Sequence, residues 1–177
     1  GFHITREYAI DPFEVLFVRD VMHSSVVVIP AGASGAEVEK LLASHAGRLE
    51  PLYPLVDLQQ RFSGVVTRRE LERWVKNGAA GPVSQLANPS PVITYPDEPL
   101  GTVLNRMAAT GCTRLPVLDR DDPTKLAGIL TLAHTLKAKQ RHLEDEQRRE
   151  RVRAVDLLVP AALRRRRAAK AISDGVV

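Results

Sequence analysis

Apolar and polar positions along this chain follow two periods, and the order in which the periods alternate occurs twice. Val38, Leu41, Leu42 and His45 stand at spacings 0, 3, 4 and 7, one face of an amphipathic helix. Ser34 and Glu37 precede that face at capping-box spacing, which predicts where the helix starts. Leu100, Val103, Leu104 and Met107 repeat the 0, 3, 4, 7 pattern, with Asp97 as the predicted cap. Each helix is preceded by a short β-branched run, Val26–Ile29 and Val92–Thr94, read as a strand. Each is followed by two further apolar runs joined by a polar turn, read as a hairpin, and then by a second helix.

The two hairpins can be laid over one another. Tyr53–Val75 reads YPLVDLQQRFSGVVTRRELERWV and Arg114–Leu136 reads RLPVLDRDDPTKLAGILTLAHTL. Pro54 to Pro116 and Asp57 to Asp119 are both 62 positions apart, Gly64 to Gly128 is 64, and Val38 to Val103 is 65. A matched strand, turn, strand, Thr and helix is a repeat of one supersecondary unit. The predicted organisation is a lead-in over 1–17 with a helical piece at Pro12–Phe17 after Asp11, and a first repeat over 18–76. A turn-rich connector follows over 77–82, then a second repeat over 83–136, and a charged helix with a basic tail over 137–177. The fold class is α/β (α+β): two pseudo-symmetric β-α-β-β-α units packed through their sheets, with a long C-terminal helix. Strands that are apolar almost throughout are those of a sheet covered by helices.

Charge refines this picture. The formal +4 is uneven: from Lys137 onward there are 12 Lys and Arg against 6 Asp and Glu, while the preceding residues hold 13 against 15. The tail is therefore basic and the repeats slightly acidic. Arg164–Arg167 would suit an anionic membrane surface or simply a solvated helix end. Nucleic acid is not an expected partner, because aromatics are nearly absent from the tail. The single Cys112 excludes an internal disulfide framework and fits a reducing compartment; beside Gly111 it reads as a small buried filler. No apolar run approaches the ~18–20 residues of a membrane helix. The start shows no signal-peptide pattern, and opening on Gly rather than Met fits a piece of a longer protein.

Catalytic chemistry is not expected. Gly32 and Gly35 are not followed by Gly-Lys-Ser/Thr, so they form no phosphate loop, and no His-Glu-x-x-His or nucleophile elbow is present. No metal site is suggested around His134. Thr67 and Glu70 stand at Thr-x-x-Glu spacing, which a helix cap explains without any ligand.

Paired units carrying YPLVD…GVVTRRE and LPVLD…GILTLAH resemble a tandem CBS-domain pair, also called a Bateman module. The flanks REYAIDPFEVLFVRDVM (Arg6–Met22) and LKAKQRHLEDEQRRERV (Leu136–Val152) are similar to the cytoplasmic C-terminal regions of bacterial ClC-type chloride channels and transporters. The resemblance implies a regulatory module, not an enzyme, that pairs with a second copy as a homodimer. It also implies a transmembrane channel or transporter domain N-terminal to this stretch, and a place on the cytoplasmic side of the cell membrane; the fragment itself is soluble. The alternative is a free-standing CBS-pair nucleotide sensor acting on another protein in trans.

Many members of the family bind AMP, ADP or ATP between the repeats, though no cofactor is required. Their Gly-x-x-Thr/Ser-x-x-Asp segment supplies a hydroxyl and a carboxylate for the ribose. Here the segments are Gly64…Thr67…Glu70 and Gly128…Thr131…His134, with Glu and His in the carboxylate's place. The resemblance assigns one cleft to Thr67, Glu70, Ile93, Thr94, Thr113 and Arg114, with Arg114 toward a phosphate. It assigns a second to Thr131 and His134.

Overall fold

The computed structural model describes residues 12–44 and 51–158. His45, the segment before Pro12 and the Arg164–Arg167 run lie outside them. The chain divides into two units, Gly1–Lys137 and Ala138–Val177.

The first unit holds both repeats. A short helix α1 (Pro12–Val15) and a 3-10 turn (Val18–Asp20) lead in. The first repeat then runs β1 (Ile29–Pro30), α2 (Gly35–Ser44), β2 (Leu52–Val56), β3 (Phe62–Thr67) and α3 (Arg68–Lys76). β1 pairs parallel with β2, and β2 antiparallel with β3, Pro54 opposite Val65. In the second repeat a 3-10 turn (Val83–Leu86) precedes α4 (Leu100–Thr110), β4 (Arg114–Leu118), β5 (Leu126–Thr131) and α5 (Leu132–Leu158). Pro116 lies opposite Ile129, and both hairpins carry a register shift one strand-step from the turn, at Leu55/Val56 and Val117/Leu118. The mixed α/β class and the two sheets agree with the sequence reading.

Three local expectations are corrected. The run Val26–Ile29 contributes only Ile29 to a paired strand. The strand expected near Val92–Thr94 shrinks to a single parallel bridge, Thr94 to Val117. The reason is local: Pro96 has no N–H, and the N–H of Tyr95 is donated to the Glu98 carboxylate at 3.0 Å, so the ladder stops after Thr94. Asp97 does not cap α4, whose N-cap is Pro99; Asp97 pairs instead with Arg120 at 2.8 Å. The other two caps form as expected. The Ser34 N–H donates to Glu37 Oε2 at 2.7 Å, and Thr67 and Glu70 close a full capping box.

Each repeat has its own apolar core, and each core takes one fully buried residue from the leading segment of the other repeat. Val83, which opens the second repeat in sequence, is fully buried with Ile29, Val38, Tyr53, Leu55 and Leu71 of the first. Val18 is fully buried with Leu100, Val103, Leu115 and Leu130 of the second. The backbone hydrogen bonds repeat this exchange. Val83 and Ser84 N–H donate to Ala33 and Ala31; Val18 and Arg19 N–H donate to Glu98 and Pro96.

Two antiparallel bridges complete the crossings, Val65 to Asn88 and His23 to Ile129. This is where the repeated glycine is explained. A Cβ on Gly64 would stand 2.7 Å from the Asn88 carbonyl oxygen, and one on Gly128 2.6 Å from that of His23. The backbone of one repeat passes too close to the strand of the other for any side chain. Gly64 also has φ +146°, outside the range of other residues.

The second unit continues α5, where Gln140 donates to Glu144 at 2.9 Å. Among the described residues, no helix is long and apolar enough to cross a membrane.

Candidate functional site

Thr67 ends β3 and caps α3. Its N–H and its hydroxyl both donate to Glu70 Oε2, at 2.8 and 2.6 Å, and its Oγ1 accepts from the Glu70 N–H at 3.3 Å. Glu70 is exposed, and its second carboxylate oxygen takes no hydrogen bond among the described residues. The cap and a ligand can therefore use different oxygens of one carboxylate.

Ile93 and Thr94 sit one layer deeper. Thr94 is fully buried; its backbone pairs with Pro116 and Leu118, and its hydroxyl donates to Glu98 Oε2 at 2.6 Å. The Ile93 carbonyl accepts from Arg106 Nη1 at 2.8 Å. Arg106 also grips Glu98 with both terminal nitrogens, at 3.0 and 2.5 Å. Burial pushes the Glu98 carboxyl up, but the bonds from Arg106, Thr94 and the Tyr95 N–H outweigh it and hold the group at about 2. The sequence reading missed this network, since Glu98 and Arg106 are not at a helical pairing distance. Its nearest signal is that Arg106 is the one charged residue of α4.

Thr113 and Arg114 are exposed at the start of β4, and Arg114 Nη1 donates to Thr113 Oγ1 at 3.2 Å. Arg114 lies opposite Thr131 across the β4–β5 ladder, and the Leu132 N–H donates to the Thr113 carbonyl. The structure thus brings Thr113 and Arg114 together with Thr131, and Thr94 together with the Pro116–Leu118 strand, while Ile93 meets Arg106. Among the described residues, no hydrogen bond or ion pair joins Thr67 or Glu70 to any of these four. The Val65–Asn88 bridge and the Phe62 N–H, which donates to the Thr124 carbonyl at 2.6 Å, tie β3 to the second repeat.

In the second segment Thr131 Oγ1 accepts from the His134 N–H at 3.1 Å, half of the capping box seen at Thr67. The His134 ring meets that of His23 edge-on, centroids 5.7 Å apart. Burial first, then His23 and Lys137, hold its pKa below the usual imidazole range.

A cleft of about 210 Å³ between Ser24, Val26 and Val28 on one side and Lys125, Leu126 and Ala127 on the other was also not foreseen. The alternation Ser24, Val26, Val28 was its only trace in the sequence. Cys112 is half-buried against the second core. Among the described residues no group of three His, Cys, Asp or Glu is placed to hold a metal ion.

With the repeats, the exchanged segments and the clefts in view, comparison with known proteins decides the family. The CBS domain family matches residues 18–77 and 83–141. This chain belongs to the CBS domain family. It is a tandem CBS pair, a regulatory and ligand-binding module.

Among solved structures, it is similar to CBSX2 in complex with AMP, at 25% identity and TM-score 0.58, over 71% of this chain and 96% of that one. It is similar to the cytosolic domain of the Mg2+ channel MgtE in complex with ATP, at 28% identity and TM-score 0.57, over 66% of this chain and 46% of that one. The CBS domain of a bacterial CNNM/CorC family Mg2+ transporter shares the fold at 19% identity and TM-score 0.57, over 72% and 76%. No curated protein matches the chain.

Proposed function

We propose that this CBS pair is the cytoplasmic regulatory module of a membrane channel or transporter of the ClC type, working as a homodimer and sensing adenine nucleotide weakly. The observation that carries the reading is how the lead-in attaches. Phe13, Leu16 and Val18 pack on the core of the second repeat, and the Leu100 N–H donates to the Leu16 carbonyl at 2.9 Å. A pull on the chain ahead of Pro12 is thereby applied directly to α4, the helix that carries Arg106 behind Ile93. Two similar structures belong to membrane transport proteins, which supports the setting. The flanks Arg6–Met22 and Leu136–Val152 point to the ClC type.

A ligand regulates such a module only by binding its states unequally. The candidate cleft offers one free oxygen of Glu70 to a ribose and the exposed Arg114 to a phosphate, which favours low affinity over tight binding. Calorimetric titration with AMP, ADP and ATP tests this. The expected Kd is weaker than roughly 10 µM, or about −7 kcal/mol, and Glu70→Ala abolishes what binding there is. Tight binding that survives Glu70→Ala would place the nucleotide elsewhere. Sedimentation of the fragment at tens of micromolar tests the homodimer, and a strict monomer counts against it.

A second reading, a CBS-pair sensor acting in trans, is supported by the 96% coverage of CBSX2, a chain that is almost wholly such a pair. Membrane spans encoded upstream of Gly1 would exclude it.

A further inference from the structure

The two crossings between the repeats have the same backbone and different side chains. At one, Val65 and Asn88 exchange N–H to carbonyl bonds of 3.1 and 2.9 Å; at the other, His23 and Ile129 exchange two of 2.9 Å. The repeat offsets put His23 over Asn88 and His134 over Glu70. One crossing therefore carries an amide and a carboxylate, and the other carries two imidazoles in edge contact, centroids 5.7 Å apart.

The surroundings of His134 oppose a proton. Its Nδ1 is buried and has no hydrogen-bond partner among the described residues. It lies in the first turn of α5, whose amino end is itself positive. From α5 it faces Lys137, one turn on, and from the crossing segment it faces His23. The other charges nearby are engaged elsewhere: Arg19 lies over the Phe17 ring, Asp20 accepts from the Phe17 N–H, and Arg114 of β4 donates to Thr113. Among the described residues, no carboxylate bonds to His134.

We propose that the His23–His134 contact makes the His23–Ile129 crossing an acid-sensitive joint: proton uptake by His134 loosens the hold of the leading segment on the second repeat, while the Val65–Asn88 crossing stays closed. The inference is independent of nucleotide binding. Its sign follows from linkage. An imidazole held below its ordinary value of about 6.5 is protonated in the open joint before it is protonated in the closed one. Opening is therefore favoured as pH falls below that value, and the effect levels off once the closed joint is protonated too.

Amide hydrogen exchange on the whole chain between pH 7.5 and 5.5, corrected for intrinsic exchange, reads both joints at once. The expected result is a fall in protection at His23 and Ile129 of up to about tenfold per unit by which the imidazole is displaced. Val65 and Asn88 should be unchanged. His134→Gln abolishes the fall, and His23→Gln reduces it by removing the ring that packs edge-on against His134. An equal fall at both crossings overturns the proposal, as does a full response in His134→Gln. Should either variant fail to fold, NMR titration of the native rings decides the matter: His134 titrating at or above the ordinary imidazole value overturns it.

Discussion

The two repeats solve the same corner with opposite chemistry. Where the first strand of each repeat passes its first helix, the first repeat places Ile29, Ala33 and Leu41; at the same offset of 65, the second places Thr94, Glu98 and Arg106. Ile29 pairs with Leu55, and Thr94 with Val117, so the backbones correspond. One corner is apolar and packed against its core. The other is an ion pair of 2.5 Å with a hydroxyl and a backbone N–H completing the carboxylate. The comparison teaches that the fold asks for a filled corner and not for a particular chemistry. A partly buried ion pair meets that need only when every polar group has a partner. The ionic version brings a dependence on pH that the apolar version lacks.

The largest test of the correspondence acts where both repeats are alike. Gly64→Ala and Gly128→Ala each drive a methyl into a carbonyl of the crossing segment, an overlap worth about 1–3 kcal/mol. Gly64→Ala adds roughly 1 kcal/mol or more for a non-glycine residue at its φ. Urea unfolding should therefore rank Gly64→Ala as the more damaging; equal or negligible losses would mean that the crossing backbones can separate freely.

Next in size is the charged corner itself. Glu98→Ala leaves the Thr94 hydroxyl without its acceptor and Arg106 with only the Ile93 carbonyl, and should cost about 1–3 kcal/mol at pH 7. With the carboxyl at about 2 in the fold and near 4.5 unfolded, its contribution is complete above pH 4.5 and is lost as pH falls toward 2. The triple variant Thr94→Ile, Glu98→Ala, Arg106→Leu installs the first repeat's corner in the second. It should restore stability at pH 7 to within about 1.5 kcal/mol and flatten the acid slope. A triple variant no better than Glu98→Ala would show that the corners are not interchangeable.

The smallest effect sharpens the comparison at the helix starts. Thr67→Ala removes a full capping box and should cost about 1 kcal/mol. Thr131→Ala removes half of one and should cost less.

Much of this architecture was legible because it is local. The helical spacings of Val38 to Leu42 and Leu100 to Met107, the hairpins around Asp57 and Asp119, and the Thr67–Glu70 cap depend on neighbours in sequence. The misreadings have two kinds of cause: Pro96 and the Tyr95 N–H cut short the strand at Thr94 from within the same turn, whereas Arg120, 23 residues away, drew Asp97 from the α4 cap. For the candidate site, the sequence marked Thr67 and Glu70 but could not say which carboxylate oxygen the cap would leave free. Nor could it show that the Thr94 hydroxyl is already committed to Glu98.

By itself, then, the order of residues determined two copies of one unit, the helices and the hairpin of each in their order, and the glycine at the same strand position in each. It did so because periodicity, caps and turns are written within a few residues of where they act. Only the tertiary structure decided that Val18 serves the second core and Val83 the first, that Arg106 closes on Glu98, and that His23 meets His134. Apolar burial has no direction of its own. A valine is equally suited to either core, and the choice between them is made by the backbone path that brings the two repeats into contact.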